Sequence, residues 1–319
     1  MRILFIANPH LKLYQDIVDE LEINNHEVVV IEDERIKFDP YYCGPFFRMF
    51  IKAILFYVLN MSTRYWKKII KNDNRLSNSY DILMALSGVS VNKFIISHLK
   101  TFNPNLRTIL YTWDSCNYYN YSRLLSLFDK CYTFDINDSI KDKRWKLLPI
   151  YYKRQLDVIS DKYKYDLFCV VTNHDGRYSF LEKIVPQLNS LKLNYYIKLV
   201  CDNDYKINED KLGIKITKPI SKEEYVENMR CSRCVLDDQR EGQSGLTARF
   251  IWALANNKKI ITTNKWVLQY SFVNPKQICI VDETTPFISL EFLRNEIRKE
   301  DCSNVSFLRI DNWVKELLS

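Results

Sequence analysis

In Leu236-Asp-Asp-Gln-Arg-Glu-Gly-Gln-Ser-Gly-Leu-Thr-Ala-Arg249, an apolar run becomes a polar loop and then a helix. Gln243, Ser244, Gly245 and Thr247 fall where the loop becomes the helix. Ser244 reads as the N-cap, which puts Thr247 at the third helical position. A helix start leaves backbone N–H groups unpaired at the positive end of the dipole. With two hydroxyls and Arg249 within a turn, the place suits a phosphate-bearing ligand. Leu246, Phe250, Ile251 and Leu254 recur at helical spacing and predict a face turned to the core.

Other residues offer acid–base or phosphate chemistry. Asp114 ends a strand before the polar, aromatic loop 115–121, where a carboxylate can take the proton of an acceptor hydroxyl. His10, in Asn8-Pro-His10 after the first strand, is the second candidate base. Asp135 and Asp138 follow another strand and read as helix caps. Asn173-His-Asp-Gly-Arg177 opens a helix, and the Arg177 guanidinium is a second candidate for a diphosphate after Arg249. Asp202-Asn-Asp204 has the spacing of a divalent-metal carboxylate pair, a pattern common enough by chance that no metal is assigned to it. Cys231-Ser-Arg-Cys234 has no second pair to make a zinc site.

The elements that must position these residues alternate. Strands are predicted at 2–7, 28–31, 82–86, 108–112, 131–134 and 147–151, with helices at 13–21 and 91–99. The charged stretch Lys153 to Lys164 reads as a linker. A second alternation follows, with strands at 167–171, 195–200, 214–217, 234–237, 259–263 and 278–281. Its helices are expected near 180–188, 222–229, 289–299 and 311–318, the second opening on a Ser221/Glu224 capping box. The reading is therefore α/β, two Rossmann-like domains facing each other across a cleft, spanning 1–153 and 165–319. The last helix is free to pack back on the first domain.

Composition narrows the function. The chain has 319 residues, 47% of them hydrophobic, enough for two cores. A net charge of +7 fits a phosphorylated ligand or an anionic membrane better than a nucleic-acid specialist. No basic tract alternates with aromatics as in an RNA-binding sheet, so no nucleic-acid partner is expected. Nine scattered cysteines and a start that runs straight into a strand read as a cytoplasmic protein with reduced thiols. The segment 45–71 is aromatic, basic and without Asp or Glu. It reads as a helix lying on an anionic membrane surface, with Trp and Phe at the lipid boundary. Asn8-Pro-His-Leu-Lys-Leu13 lacks the glycines a dinucleotide-dependent dehydrogenase or epimerase needs.

Tyr111-Thr-Trp-Asp-Ser115, Tyr132-Thr-Phe-Asp135, Leu148-Pro-Ile-Tyr-Tyr152, Gln243-Ser-Gly-Leu-Thr-Ala-Arg249 and Ile261-Thr-Thr-Asn264 occur in this order. The chain thereby resembles bacterial lipopolysaccharide-core and capsular-polysaccharide biosynthesis proteins of the GT-B glycosyltransferase type. The resemblance implies a nucleotide-sugar donor on the second domain and a glycan or lipid-linked acceptor on the first. Asn173, Arg177, Glu241, Gln243, Ser244, Gly245, Thr247 and Arg249 would then serve the donor, Asp114 or His10 catalysis, with no cofactor beyond the nucleotide-sugar co-substrate. In the larger group that it is similar to, a helix Glu holds the donor's ribose; Trp252 stands where that carboxylate is expected. A catalytically inactive scaffold in a glycan-assembly complex is the competing expectation.

Overall fold

A computed structural model describes residues 1–7, 14–33, 61–153, 163–173, 176–201 and 214–319. The chain divides into two units, Met1–Pro149 with Ile310–Ser319, and Ile150–Arg309.

The first unit contains β1 (Arg2–Ala7), α1 (Gln15–Ile23), β2 (Glu27–Glu32), α2 (Met61–Asn72), β3 (Ile82–Leu86), α3 (Lys93–Lys100), β4 (Arg107–Thr112), β5 (Lys130–Thr133), α4 (Ile136–Lys141) and β6 (Trp145–Leu147). The strands form one parallel sheet in the order β2-β1-β3-β4-β5-β6. A parallel sheet is covered on both faces, which is why β1 and β3 are continuous apolar runs with no polar alternation. The terminal helix Ile310–Leu318 completes this unit: buried Trp313 meets Tyr111 edge-on at 4.8 Å and donates from Nε1 to the Pro149 carbonyl at 2.9 Å. The predicted strand 147–151 is instead Trp145–Leu147, since Pro149 has no N–H for the ladder.

The second unit contains β7 (Tyr165–Thr172), α5 (Arg177–Ser190), β8 (Tyr195–Val200), β9 (Lys215–Thr217), α6 (Lys222–Arg230), β10 (Ser232–Asp237), α7 (Ala248–Ala255), β11 (Lys259–Thr262), β12 (Ile278–Ile280) and α8 (Leu290–Arg294). All its strands are parallel, in the order β12-β11-β10-β7-β8-β9. Counted within the unit this is 6-5-4-1-2-3, the Rossmann arrangement. Phe180, Leu181, Ile184, Val185 and Leu188 of α5 recur at helical spacing and pack on Leu167, Cys169 and Val171 of β7.

Two lysines tie helix ends to β11. Lys258 donates to the Arg230 carbonyl at 2.8 Å, and Lys259 to the carbonyls of Phe292, Leu293 and Asn295. Each cation meets the negative end of a helix dipole. The predicted helix 289–299 therefore stops at Arg294, its last carbonyls drawn to Lys259. The predicted capping box forms on its Ser221 side, and the Glu224 carboxylate has further partners. Ser221 Oγ accepts from the Glu224 N–H, and the Glu224 carboxylate accepts from Tyr196 OH and Lys198 Nζ. Residues 154–162 of the predicted linker lie outside the described residues. Among those described, no helix is long and apolar enough to cross a membrane.

Candidate functional site

In an open α/β sheet, ligands gather beyond the strands' carboxyl ends where the winding direction reverses. In the second unit that point lies between β7 and β10, because β8 and β9 extend one way from β7 and β10 to β12 the other. The sequence puts Asn173 through Arg177 after β7, and Asp237, Asp238 and the loop to Thr247 at the end of β10. The segments named from sequence thus meet at one sheet edge.

Asp237 is fully buried and organises that edge. Its Oδ1 accepts from Thr247 Oγ1 at 2.7 Å and from Arg249 Nε at 3.1 Å, with Arg249 Nη2 at 2.8 Å; its Oδ2 accepts from Thr262 Oγ1 at 3.1 Å. Arg249 also donates to the carbonyls of Val170 (3.0 Å) and Asp238 (3.2 Å). Burial opposes its charge, yet Asp237 holds its pKa above the usual arginine value. Arg249, the first donor-phosphate candidate, is held as a buried brace between β7, β10 and α7.

Arg177 is placed differently. Its Nη1 donates to the Thr172 carbonyl at 3.0 Å, while its contacts with Asp238 are long, 3.4 Å from Nε to Oδ2 and 3.4 Å from Nη2 to the carbonyl. Burial, then the charge of Arg249, lowers its pKa. Burial pushes the Asp238 carboxyl up to about 6, against the pull of the two arginines. Asn173 continues the β7–β8 ladder, its N–H donating to the Val200 carbonyl at 2.7 Å.

Thr247, not Ser244, caps α7. Its Oγ1 accepts from the Phe250 N–H at 3.1 Å while donating to Asp237. Ser244 is buried earlier in the loop. Its carbonyl accepts from Tyr270 OH at 3.2 Å and Asn264 Nδ2 at 3.4 Å, and the Gly245 carbonyl accepts from Gln239 Nε2 at 2.9 Å. The loop is thus pinned through its carbonyls. Gln239 Oε1 lies buried with no hydrogen-bond partner among the described residues. Gln243 is half-buried, Glu241 is exposed, and Gly242 takes φ 76°, a left-handed turn that favours glycine. Leu246, Phe250, Ile251 and Leu254 are all fully buried, as their spacing predicts.

In the first unit, Asp114 follows β4 half-buried, and after burial itself its charge raises the Tyr121 pKa. Asp135 caps α4, accepting from the Asn137 and Asp138 N–H groups. Asp138 is not a cap. Its Oδ2 takes the Cys116 N–H at 2.8 Å and pins the loop behind Asp114, and burial raises its pKa. Ser87 (φ 66°) and Gly88 (φ 57°) end β3 in the left-handed region, a strained exit for Ser87. His10 and Asp202 to Asp204 lie outside the described residues.

Trp252 Nε1 donates to the Tyr151 carbonyl at 3.1 Å, and its ring meets Tyr225 at 5.6 Å. In α2, Trp66 is fully buried and donates to the Ser90 carbonyl at 2.9 Å. That overturns its expected place at a lipid boundary; the rest of the proposed membrane segment, 45–60, lies outside the described residues. Cys234 sits in the β10 core, where burial pushes its thiol up to about 12. The sequence reading missed Asp237 and Asp238, although adjacent acids at a strand's carboxyl end were its visible signal.

No family model matches the chain. No curated protein matches it in sequence. Solved structures match in fold. Arabidopsis thaliana UGT89C1 is 10% identical with a TM-score of 0.55, over 99% of this chain and 94% of that one. The glycotransferase of kitacinnamycin is 12% identical with a TM-score of 0.52, over 99% and 93%. A Listeria monocytogenes protein assigned as a UDP-N-acetylglucosamine 2-epimerase is 10% identical with a TM-score of 0.55, over 99% and 94%. The chain has the α/β fold of GT-B proteins, with two Rossmann-like domains.

Proposed function

We propose that this chain is a glycosyltransferase, moving a sugar from a nucleotide-sugar donor to a hydroxyl of a glycan or lipid-linked saccharide in bacterial surface polysaccharide or lipopolysaccharide synthesis. The observation that carries the reading is the convergence of Asn173, Arg177 and the Gln243–Thr247 turn on the switch point of a Rossmann-ordered sheet. Two proteins sharing the fold are named for glycosyl transfer or for a UDP-sugar, which supports the same class.

The donor's diphosphate would lie on the Gln243–Thr247 turn with Arg177 as its cation, while Arg249 keeps the turn in place through Asp237. Fixed dipoles and guanidinium charge then stabilise the leaving diphosphate without a metal. Asp114 takes the acceptor proton, with His10 as the second candidate. The exposed cations Arg64, Lys67, Lys68 and Lys71 of α2 would hold the protein electrostatically to an anionic inner leaflet, where a lipid-linked acceptor is presented.

A thermal-shift screen against nucleoside diphosphates tests the donor assignment, since a ligand of the folded state raises its melting temperature. Binders then go to transfer, hydrolysis and epimerisation assays with the matching nucleotide-sugars. No shift with any of them defeats the reading. Binding without turnover favours the second reading, an inactive assembly partner, which Trp252 supports: it stands where the resemblance expects a ribose-holding carboxylate, and its indole donates instead to the Tyr151 carbonyl.

A further inference from the structure

Asp237 and Asp238 are neighbours in sequence, each beside an arginine, yet the pairs differ in build. Asp237 has hydroxyl or guanidinium partners on both oxygens at 3.1 Å or less, within a fully buried group. Asp238 has long contacts only among those the structure gives it, 3.4 Å to Thr263 Oγ1 and 3.4 Å to Arg177 Nε. The groups facing Asp238 are Arg177 from α5, Arg249 from α7, Asp237 from β10, Thr263 after β11 and Glu283 after β12. Two of the three neighbouring charges that do not leave on ligand binding are negative. Once Arg177 is drawn off, Arg249 is the one cation among the described residues that favours the Asp238 carboxylate, and Asp237 already engages Arg249 more closely.

We propose that Asp238 is a displaceable counter-ion: it positions the Arg177 guanidinium until a diphosphate arrives, then yields it to the ligand and takes up one proton from solvent. This deepens the donor reading above and rests on it. The carboxyl's pKa is already near 6 by burial, so losing a cation and gaining an anionic neighbour carries it upward through neutrality. The liganded state then holds more protons than the free one. Affinity falls as pH rises from about 6 to the carboxyl's pKa in the complex, by at most about tenfold per pH unit for one proton.

The test is isothermal titration of the full chain with a panel of uridine, thymidine, guanosine, cytidine and adenosine diphospho-sugars. These ligands carry a diphosphate without an ionisation near neutrality, so any linkage is the protein's. Measurements near neutral pH in buffers of different ionisation enthalpy count the protons. The proposal expects uptake approaching one proton, weaker binding at higher pH, and loss of both effects in Asp238→Asn with binding retained. Binding without proton uptake, or the same uptake in Asp238→Asn, overturns it. If that variant does not fold, the wild-type proton count decides alone. No binding by any member of the panel removes the donor reading itself and this proposal with it.

Discussion

Replacing Asp237 by Asn keeps the side chain's shape and removes one charge from the centre of the second unit. Arg249, with 10% of its side chain exposed, would lose its only carboxylate within 3 Å among the described contacts and keep the carbonyls of Val170 and Asp238. Breaking a buried pair by removing one partner costs about 3–5 kcal/mol. At about 2–4 °C per kcal/mol for a unit of this size, the melting temperature of the second unit falls by about 10 °C. Urea unfolding followed by Trp252 and Trp266 fluorescence measures the loss. The double variant Asp237→Leu with Arg249→Met leaves no charge stranded and should be more stable than Asp237→Asn alone. A cost below about 1 kcal/mol for Asp237→Asn refutes the brace, because Arg249 would then have access to water or another anion. That result would return Arg249 to the diphosphate.

Further outcomes follow from the same geometry. Thr247→Ala removes the α7 cap and costs about 1–2 kcal/mol by urea midpoint, while Thr247→Ser keeps most of it. Asp114→Asn lowers glycosyl turnover by about 10²–10⁴-fold with an unchanged melting temperature; turnover equal to wild type removes it as the base. Burial lowers the Lys258 pKa from 10.5 to about 8, so the unfolded chain binds more protons between those values. Wild-type stability relative to Lys258→Met therefore rises with pH across that window and is flat below it, as paired melting curves will show. Exchanging Lys67, Lys68 and Lys71 for Glu should abolish low-salt sedimentation with phosphatidylglycerol vesicles; unchanged sedimentation sinks the α2 docking surface.

The two parallel sheets were legible because strands buried on both faces must be apolar throughout, and Phe5 or Phe168 cannot sit elsewhere. The α7 start was less so. Ser244 and Thr247 are both competent caps, and the choice depends on Asp237 accepting a hydrogen bond from the Thr247 hydroxyl across the end of β10. Arg249 could be placed near a helix start from spacing alone, but its partners Asp237 and Val170 come from the pairing of β10 with β7. Likewise the α2 pattern shows an apolar face without saying what covers it. The Ser90 carbonyl that holds Trp66, 24 residues on in the chain, answers that.

Charge matching at the donor edge also bears on how an anion would be attracted. The chain carries +7, but the two guanidiniums placed at the β7–β10 switch point each face a carboxylate. Attraction of a diphosphate there cannot rest on surplus side-chain cations from these four groups. It has to come from the oriented amides at the starts of α5 and α7, and from exchange of the weaker of the two pairs. The stronger pair cannot exchange without unfolding the brace that forms the turn. A tight Asp237–Arg249 pair beside a loose Asp238–Arg177 pair therefore divides the work, one fixing the loop and the other releasing a cation to whatever the loop binds.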